Sequence, residues 1–282
     1  MVMDPSLAKL FDLTGRVALI TGGAGLLGEQ FSLTLAKAGA VVVIADINGK
    51  GAEQLAERIQ AEGMQALPYQ VDITSQPEVE RMVENVVQTY QRLDILINNA
   101  ALDPKFDGKE KESVDSGAFE TFPLTAWQQA LDVNLNGAFL CCQAAVKPML
   151  KQEKGVIINI ASIYGVVAPD QRLYETEESL QDASKRRYKP VYYSVTKAGI
   201  LGLTRYLAAY YGRKNIRVNS LTPGGVYHQH DETFLKAYAA RAVLGRMAEK
   251  DELNGALLFL ASDASSYMTG ANLVVDGGWT IW

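Results

Sequence analysis

The sequence predicts an α/β fold: a doubly wound parallel sheet of about seven strands, with helices on both faces. Short apolar runs rich in branched residues are continuous rather than alternating, as in strands buried on both faces. Segments with apolar residues at helical spacing separate these runs, and two of them end in glycine, a common helix stop. Because strand and helix alternate along the chain, we expect ligands at the carboxyl ends of the strands.

The first half of the chain predicts strands at 16–21, 41–46, 65–72 and 93–99, separated by helices at 28–39, 51–63 and 76–92. The second half predicts a helix near 124–150, a strand at 155–162, a helix near 191–212, a strand at 216–222, a helix near 249–261 and a strand at 272–276.

The pattern predicts one domain over residues 1–282 with two insertions. Long polar segments at 101–123 and 168–190 leave the carboxyl ends of the fourth and fifth strands. Long loops in compact domains are usually functional, so we expect both segments to face the substrate.

Composition excludes several classes of function. The chain is 48% hydrophobic and 21% charged, with a net charge of -5, which disfavours nucleic acid and anionic membranes as partners. No apolar run approaches the ~20 residues of a membrane span, and the N-terminus does not resemble a signal peptide. We therefore expect a soluble, cytoplasmic protein in which the adjacent Cys141 and Cys142 are reduced and buried in a helix.

The stretch TGGAGLLG, residues 21–28, joins the first strand to the first helix. Gly22, Gly25 and Gly28 favour a tight turn whose following helix offers unpaired N–H groups to a pyrophosphate. Leu26 stands where one common spelling of such a turn has glycine. Our interpretation is that Gly25 supplies the flexibility and that Leu26 points away from the phosphates.

Asp46 follows Gly28 by 18 residues and ends the second strand. A carboxylate there accepts hydrogen bonds from the adenosine ribose hydroxyls and repels a 2'-phosphate. Neither the glycine turn nor Ile47 supplies a cation for such a phosphate, so the sequence predicts NAD rather than NADP. The alternative is that Asp46 does not bind a cofactor and is a capping or solvated acid in a loop.

Tyr193 and Lys197 lie four residues apart at the start of a predicted helix, and therefore on one face. An adjacent ammonium favours the phenolate and makes tyrosine a usable acid and base. The spacing alone is common on surface helices, so other motifs must support it.

Those motifs are TGxxxxxG, NNA at 98–100, LDVNLNG, NIASIYG, YSVTK, IRVNSLTPGG at 216–225 and VVDGG. From about residue 13 onward, together and in this order, they resemble the short-chain dehydrogenase/reductase family, in its compact single-domain branch. The resemblance implies a Rossmann-type fold and a catalytic tetrad of Asn134, Ser162, Tyr193 and Lys197.

In the implied mechanism Ser162 binds the substrate oxygen, and Tyr193 exchanges a proton with it while hydride passes to or from the nicotinamide. Lys197 lowers the pKa of Tyr193 and holds the nicotinamide ribose, and Asn134 anchors a water. The resemblance assigns further cofactor contacts to Leu27, Ile47, Asp72, Ile73, Asn99, Ala100 and Val226, besides Tyr193 and Lys197. Asn98 could instead tie the fourth strand to its neighbours.

Several alternatives stay open at this stage. The glycine turn also fits the extended branch of sugar epimerases and dehydratases, although only four residues follow Gly278. A catalytically silent NAD-binding protein is the alternative from another class. HQH at 228–230 lacks accompanying ligands at metal-site spacing, so we expect no metal.

The expected substrate is a small polar molecule that is sugar-like or a hydroxy acid, because a weaker resemblance links the chain to bacterial sugar and surface-glycan metabolism. Arg172 or Arg187 could bind an anionic group of that substrate, or these insertion cations could form a solvated surface balanced by acids. The resemblance also implies a homo-oligomer, a tetramer or a dimer.

Overall fold

The computed structural model describes residues 4–103, 117–175, 177–182 and 185–282. Seven parallel strands form one sheet in the order β3-β2-β1-β4-β5-β6-β7. The strands are β1 Val17–Thr21, β2 Val41–Asp46, β3 Ala66–Gln70, β4 Ile95–Asn98, β5 Gly155–Ile160, β6 Ile216–Pro223 and β7 Asn272–Val275. The doubly wound prediction is confirmed, and the strand order reverses between β1 and β4, which opens a crevice at their carboxyl ends.

Helices cover both faces of this sheet. They are α1 Pro5–Leu10, α2 Leu26–Lys37, α3 Gly49–Ala61, α4 Gln76–Tyr90, α5 Leu124–Leu131, α6 Ala138–Gln152, α7 Glu177–Gln181, α8 Val191–Tyr211, α9 Glu232–Ala239 and α10 Asn254–Ala261.

Two helical predictions needed correction, and three helices, α1, α7 and α9, were not predicted. The helix expected near 124–150 is divided by a π-helical turn, Asp132–Gly137, between α5 and α6. The helix expected from 249 begins only at Asn254, since Glu252 instead pairs with Arg246 in the preceding turn. Helix α9 was not predicted; the Asp231 carboxylate caps it by accepting from the backbone N–H of Phe234 at 2.9 Å.

The core consists of two apolar layers, because successive strand residues point to opposite faces of the sheet. On one face Ile20 packs with Phe31 of α2 and Leu257 of α10. On the other face Leu19 packs with Met82 of α4 and with α6. The strands at the centre of the sheet are therefore buried on both sides, which explains their largely apolar sequences, whereas β3 and β7 at its edges are partly exposed.

Cys141 and Cys142 lie in the second of these layers as free thiols, as the sequence predicts. Burial raises the pKa of Cys142 to about 12, so its thiol stays protonated near neutral pH. Asn98 donates from its amide nitrogen to Asn159 Oδ1 at 2.8 Å and to the sulfur of Cys142 at 3.1 Å. The structure thus shows Asn98 tying β4 to β5 and α6.

None of the helices in the described ranges is long and apolar enough to span a membrane.

Candidate active site

A cavity of about 820 Å³ opens at the carboxyl ends of the strands. Its wall contains most of the residues that the sequence singled out, namely Gly22, Gly25, Leu27, Asp46, Ile47, Asp72, Ile73, Asn99, Ala100, Ser162, Tyr193, Lys197 and Val226. Gly28 and Asn134 lie behind this wall, both buried. The fold therefore gathers residues from along the whole chain at the edge where a ligand was expected.

Gly22 and Gly28 of the glycine turn lie too close to backbone atoms to carry a side chain. Gly22 has a φ of +60°, and a Cβ added there would lie 2.8 Å from the Cα of Ala100. A Cβ on Gly28 would lie 2.0 Å from the carbonyl oxygen of Gly22. Gly25 has an ordinary φ of -78°, and its Cβ would lie 3.3 Å from that same oxygen. A side chain at Gly22 or Gly28 would therefore clash with the backbone, whereas one at Gly25 would need only a small shift. Leu26 is the first residue of α2 and borders the cavity.

Asp46 binds the turn and faces the cavity as well. Its two carboxylate oxygens accept from the backbone N–H groups of Ala24 at 3.0 Å and Asn48 at 2.9 Å. Among the described residues of the cavity wall, the lysines are Lys189 and Lys197 and there is no arginine. Lys189 lies two residues before α8, and Lys197 lies within that helix and contacts the end of β5. Strands β1 and β4 separate β5 from β2, which Asp46 ends.

Two of the other predicted cofactor residues also shape the cavity wall. Asp72 accepts at one oxygen from the N–H of Thr74 at 2.9 Å and from its hydroxyl at 2.7 Å. The Asn99 amide donates to the carbonyl oxygens of Thr21 at 3.2 Å and Gly22 at 2.9 Å. The side chain of Asn99 therefore holds the glycine turn in place from β4.

Tyr193 and Lys197 lie one turn apart on α8, next to the end of β5. The Lys197 ammonium lies 5.7 Å from the centroid of the Tyr193 ring and donates to the carbonyl oxygen of Ile160 at 2.8 Å. Ser162 lies two residues beyond the end of β5, and a hydrogen bond joins it to Tyr193. Phenol, hydroxyl and ammonium therefore meet at one end of the cavity.

Burial dominates the proton affinities of these groups. Desolvation raises the pKa of Tyr193, the Asp103 carboxylate raises it further, and the hydrogen bond to Ser162 opposes both. Desolvation also lowers the pKa of Lys197 to about 8, against the opposing effect of Asp103. The protein alone therefore moves the pKa of Tyr193 upward, opposite to the sequence-based expectation, because burial and the Asp103 carboxylate outweigh the hydrogen bond to Ser162.

Asn134 lies in the π-helical turn and is 3% exposed. Its amide oxygen accepts from the backbone N–H of Leu102 at 2.6 Å, and its amide nitrogen donates to the Leu102 carbonyl at 3.1 Å. The same nitrogen donates to the Thr196 hydroxyl at 3.3 Å on α8. The side chain thus joins the segment after β4 to the helix that carries Tyr193.

The cations of the insertions are placed differently from the expectation. Arg172 is exposed and forms a two-point ion pair with Asp170, whose other partner is Arg241 at 2.6 Å. Neither Arg172 nor Arg187 borders the cavity, whereas Lys189 does. The cations of the first insertion lie outside the described residues; they are Lys105, Lys109 and Lys111.

Sequence reasoning missed Asp103 as a site residue. Its only signal was its position, three residues after the NNA motif that ends the predicted fourth strand. Asp103 and Lys189 form an ion pair on the cavity wall.

His228 and His230 border the cavity too. His230 stacks on Phe234 with 4.9 Å between ring centroids, and desolvation lowers its pKa. In the part of the chain that the structure describes, no group of three or more His, Cys, Asp or Glu side chains could hold a metal ion. An aromatic packing role accounts for His230.

Known proteins are similar to this chain along almost its whole length. A family model described as short chain dehydrogenase matches residues 16–175, and one described as Enoyl-(Acyl carrier protein) reductase matches residues 179–280. The chain belongs to the short-chain dehydrogenase family.

Individual members of the family show the same extent of similarity. D-threitol dehydrogenase of Mycolicibacterium smegmatis is 33% identical, over 96% of this chain and 95% of that protein. A gluconate 5-dehydrogenase from Burkholderia cenocepacia, solved with NADP and tartrate, is 31% identical with a TM-score of 0.84, over 98% and 99% of the two chains. An NAD+-bound xylitol dehydrogenase is 26% identical with a TM-score of 0.80, over 94% and 99%.

Membership establishes the class of reaction. The protein is an oxidoreductase that acts on CH–OH groups and interconverts a secondary alcohol and a ketone with a nicotinamide cofactor.

Proposed function

We propose that this protein is an NAD(H)-dependent dehydrogenase of a small, polar, sugar-like or hydroxy-acid substrate, with Tyr193 as its acid and base. The carrying observation is the meeting of Tyr193, Ser162 and Lys197 at one end of a cavity that Asp46 borders at β2. The single domain over 1–282, with both insertions toward the substrate, is part of the same proposal.

The residues of the cavity fit a nicotinamide dinucleotide. The N-terminus of α2 and the glycine turn border the cavity, and a side chain at Gly28 would displace the Gly22 carbonyl. Asp46 would hold the adenosine ribose, Asp72 and Ile73 the adenine, and Val226 the carboxamide. Leu27, Ile47, Asn99 and Ala100 would line the rest of the cofactor. When bound, the cofactor supplies the acceptor or donor of the hydride.

The protein supplies the proton. In oxidation Tyr193 Oη takes the proton of the alcohol hydroxyl, and in reduction it returns that proton to the ketone oxygen. Ser162 orients the same oxygen by a hydrogen bond, and Lys197 places a positive charge beside the phenol. Because burial raises the pKa of Tyr193, a neighbouring positive charge is needed to make its phenolate accessible. Asn134 acts by holding Leu102 and Thr196 in place.

The test of the catalytic assignment compares Tyr193→Phe with Tyr206→Phe, an exposed tyrosine on the same helix. We expect Tyr193→Phe to lower kcat by about a thousandfold, as loss of a general acid and base does, with NADH affinity nearly unchanged. Tyr206→Phe should behave as wild type. Full activity in Tyr193→Phe would contradict the proposed mechanism.

The cofactor preference has its own test. We expect a higher kcat/KM with NAD than with NADP, because the Asp46 carboxylate repels a 2'-phosphate and no described cation of the cavity wall lies at β2. In Asp46→Asn that preference should narrow by about tenfold or more, since the like charge is gone. A wild-type preference for NADP would overturn this assignment.

We also propose a cytoplasmic homo-oligomer, a tetramer or a dimer. Exposed apolar side chains on α5, α6 and α8 support this, among them Leu124, Phe139 and Tyr210. Trp279 is buried against Tyr238 with 4.4 Å between centroids, so the tail aromatic left for an interface is Trp282. Light scattering of the purified protein measures the mass of the assembly, and a monomer would contradict the proposal.

A further inference from the structure

Tyr238 of α9 reaches the backbone just beyond the end of β6. It is 3% exposed and borders the cavity. Its hydroxyl oxygen accepts a hydrogen bond from the backbone N–H of Gly225 at 2.6 Å. Gly225 directly precedes Val226, the residue proposed to hold the carboxamide of the nicotinamide. The hydrogen bond therefore joins α9 to the stretch of chain that would receive the reactive end of the cofactor.

The ring of Tyr238 is fixed by its neighbours. It stacks on Trp279 with 4.4 Å between ring centroids and on Phe234 with 6.3 Å. A Cβ added to Gly225 would lie 2.6 Å from Cε2 of this ring, so the ring packs directly against the backbone of Gly225. The hydroxyl therefore approaches the N–H of Gly225 from a defined direction.

Backbone hydrogen bonds hold the residues on either side of Val226. The N–H of Ala248 donates to the carbonyl of Gly225 at 2.9 Å, and the carbonyl of Ala248 accepts from the N–H of Tyr227 at 2.8 Å. Within the described part of the chain, the N–H and carbonyl of Val226 itself form no hydrogen bond. A ligand amide has both donors and an acceptor, so it can use such a pair of backbone groups at the cavity wall.

Helix α9 is also tied to the segment that follows β5. Arg241, two residues beyond α9, forms an ion pair with Asp170 at 2.6 Å. The ring of Phe234 lies 5.7 Å from that of Tyr174, and both rings border the cavity. Through Phe234, α9 belongs to the cavity wall, and through Tyr238 it holds Gly225.

We propose that Tyr238 is a positioning residue for the cofactor: its hydroxyl fixes Gly225 and thereby holds the backbone of Val226 ready for the carboxamide of the nicotinamide. The inference rests on the proposed function, which supplies the cofactor, and adds a residue that the sequence did not indicate. Without the hydroxyl, a partly buried N–H loses its acceptor, which favours a rotation of this peptide away from its present position.

The experiment measures binding of NADH and of ADP-ribose by calorimetry, without substrate or turnover. ADP-ribose has the adenosine, pyrophosphate and second ribose of NADH but lacks the nicotinamide. The variant Tyr238→Phe keeps the ring and removes the hydroxyl. Tyr227→Phe is the control, because Tyr227 lies in the same segment but is 43% exposed and is not part of the described cavity wall.

In wild type we expect NADH to bind about tenfold or more tightly than ADP-ribose, since only NADH carries the carboxamide. Tyr238→Phe should lower this ratio by about tenfold through weaker NADH binding, as loss of one buried hydrogen bond does. Its affinity for ADP-ribose should stay within about twofold of wild type, which separates positioning of Val226 from damage to the fold. Tyr227→Phe should match wild type for both ligands.

Four results would overturn the inference. They are an unchanged ratio in Tyr238→Phe, an equal loss of affinity for both ligands in that variant, the same change of ratio in Tyr227→Phe, and wild-type protein that binds ADP-ribose as tightly as NADH. Wild-type protein that binds neither ligand would contradict the proposed function on which the inference rests.

Discussion

Replacing Lys197 by methionine should abolish activity and make the protein more stable near neutral pH. Lys197 is 5% exposed, and its burial lowers the pKa from 10.5 to about 8. At ~1.4 kcal/mol for each tenfold change in proton affinity, this costs the folded protein about 3 kcal/mol at neutral pH. Methionine has a similar unbranched stem without the charge, so it removes that cost.

The hydrogen bond from Lys197 to the Ile160 carbonyl opposes part of the gain. Because the donor is charged, losing it costs about 2 kcal/mol, which leaves a net stabilisation of about 1 kcal/mol. Between about pH 8 and pH 10.5 the unfolded lysine binds more protons than the folded one, so the stability of wild type rises with pH there. The advantage of Lys197→Met should therefore shrink across this window and be close to zero near about pH 9.

Urea unfolding followed by circular dichroism, at one protein concentration and several pH values, measures this difference. Lys214→Met is the control, because Lys214 is exposed just after α8. A variant Lys197→Met that is less stable than wild type at neutral pH, or an advantage that does not change with pH, would refute the reasoning.

Three further outcomes follow from the packing. Gly28→Ala should lose most of its NADH affinity in a fluorescence titration while Gly25→Ala keeps more, since the added methyls would lie 2.0 Å and 3.3 Å from the same carbonyl oxygen of Gly22; equal affinities would contradict this. Arg217→Met should lower the free energy of unfolding by about 3 kcal/mol, because the guanidinium donates to three partly buried backbone carbonyls and to the Ser265 hydroxyl. A change near zero in urea unfolding would count against this. Asn159→Leu should lower the free energy of unfolding by about 2 kcal/mol in the same assay, because the Asn98 amide loses its hydrogen-bond acceptor at 2.8 Å. An unchanged midpoint of urea unfolding would show that this hydrogen bond does not stabilise the fold.

Local patterns were sufficient for most of the fold. The order of strands and helices could be predicted because the central strands are buried on both faces and are therefore largely apolar. The missed helix α9 has only eight residues, which is too short for a clear helical period, and the π-helical turn at Asn134 has no periodicity of its own. Such elements depend on contacts made elsewhere in the chain, as in the Asn134 bonds to Leu102 and Thr196.

The sequence by itself determined the doubly wound sheet, the glycine turn after β1 and the placing of Tyr193 and Lys197 on one helix face, because each depends on residues close together in the chain. Only the tertiary structure decided that Lys189 meets Asp103, 86 residues away, beside Tyr193. It also decided that burial raises the pKa of Tyr193 and that the turn requires glycine at Gly28. Proton affinity and close contact depend on what surrounds a group in space, and separation along the chain does not record those surroundings.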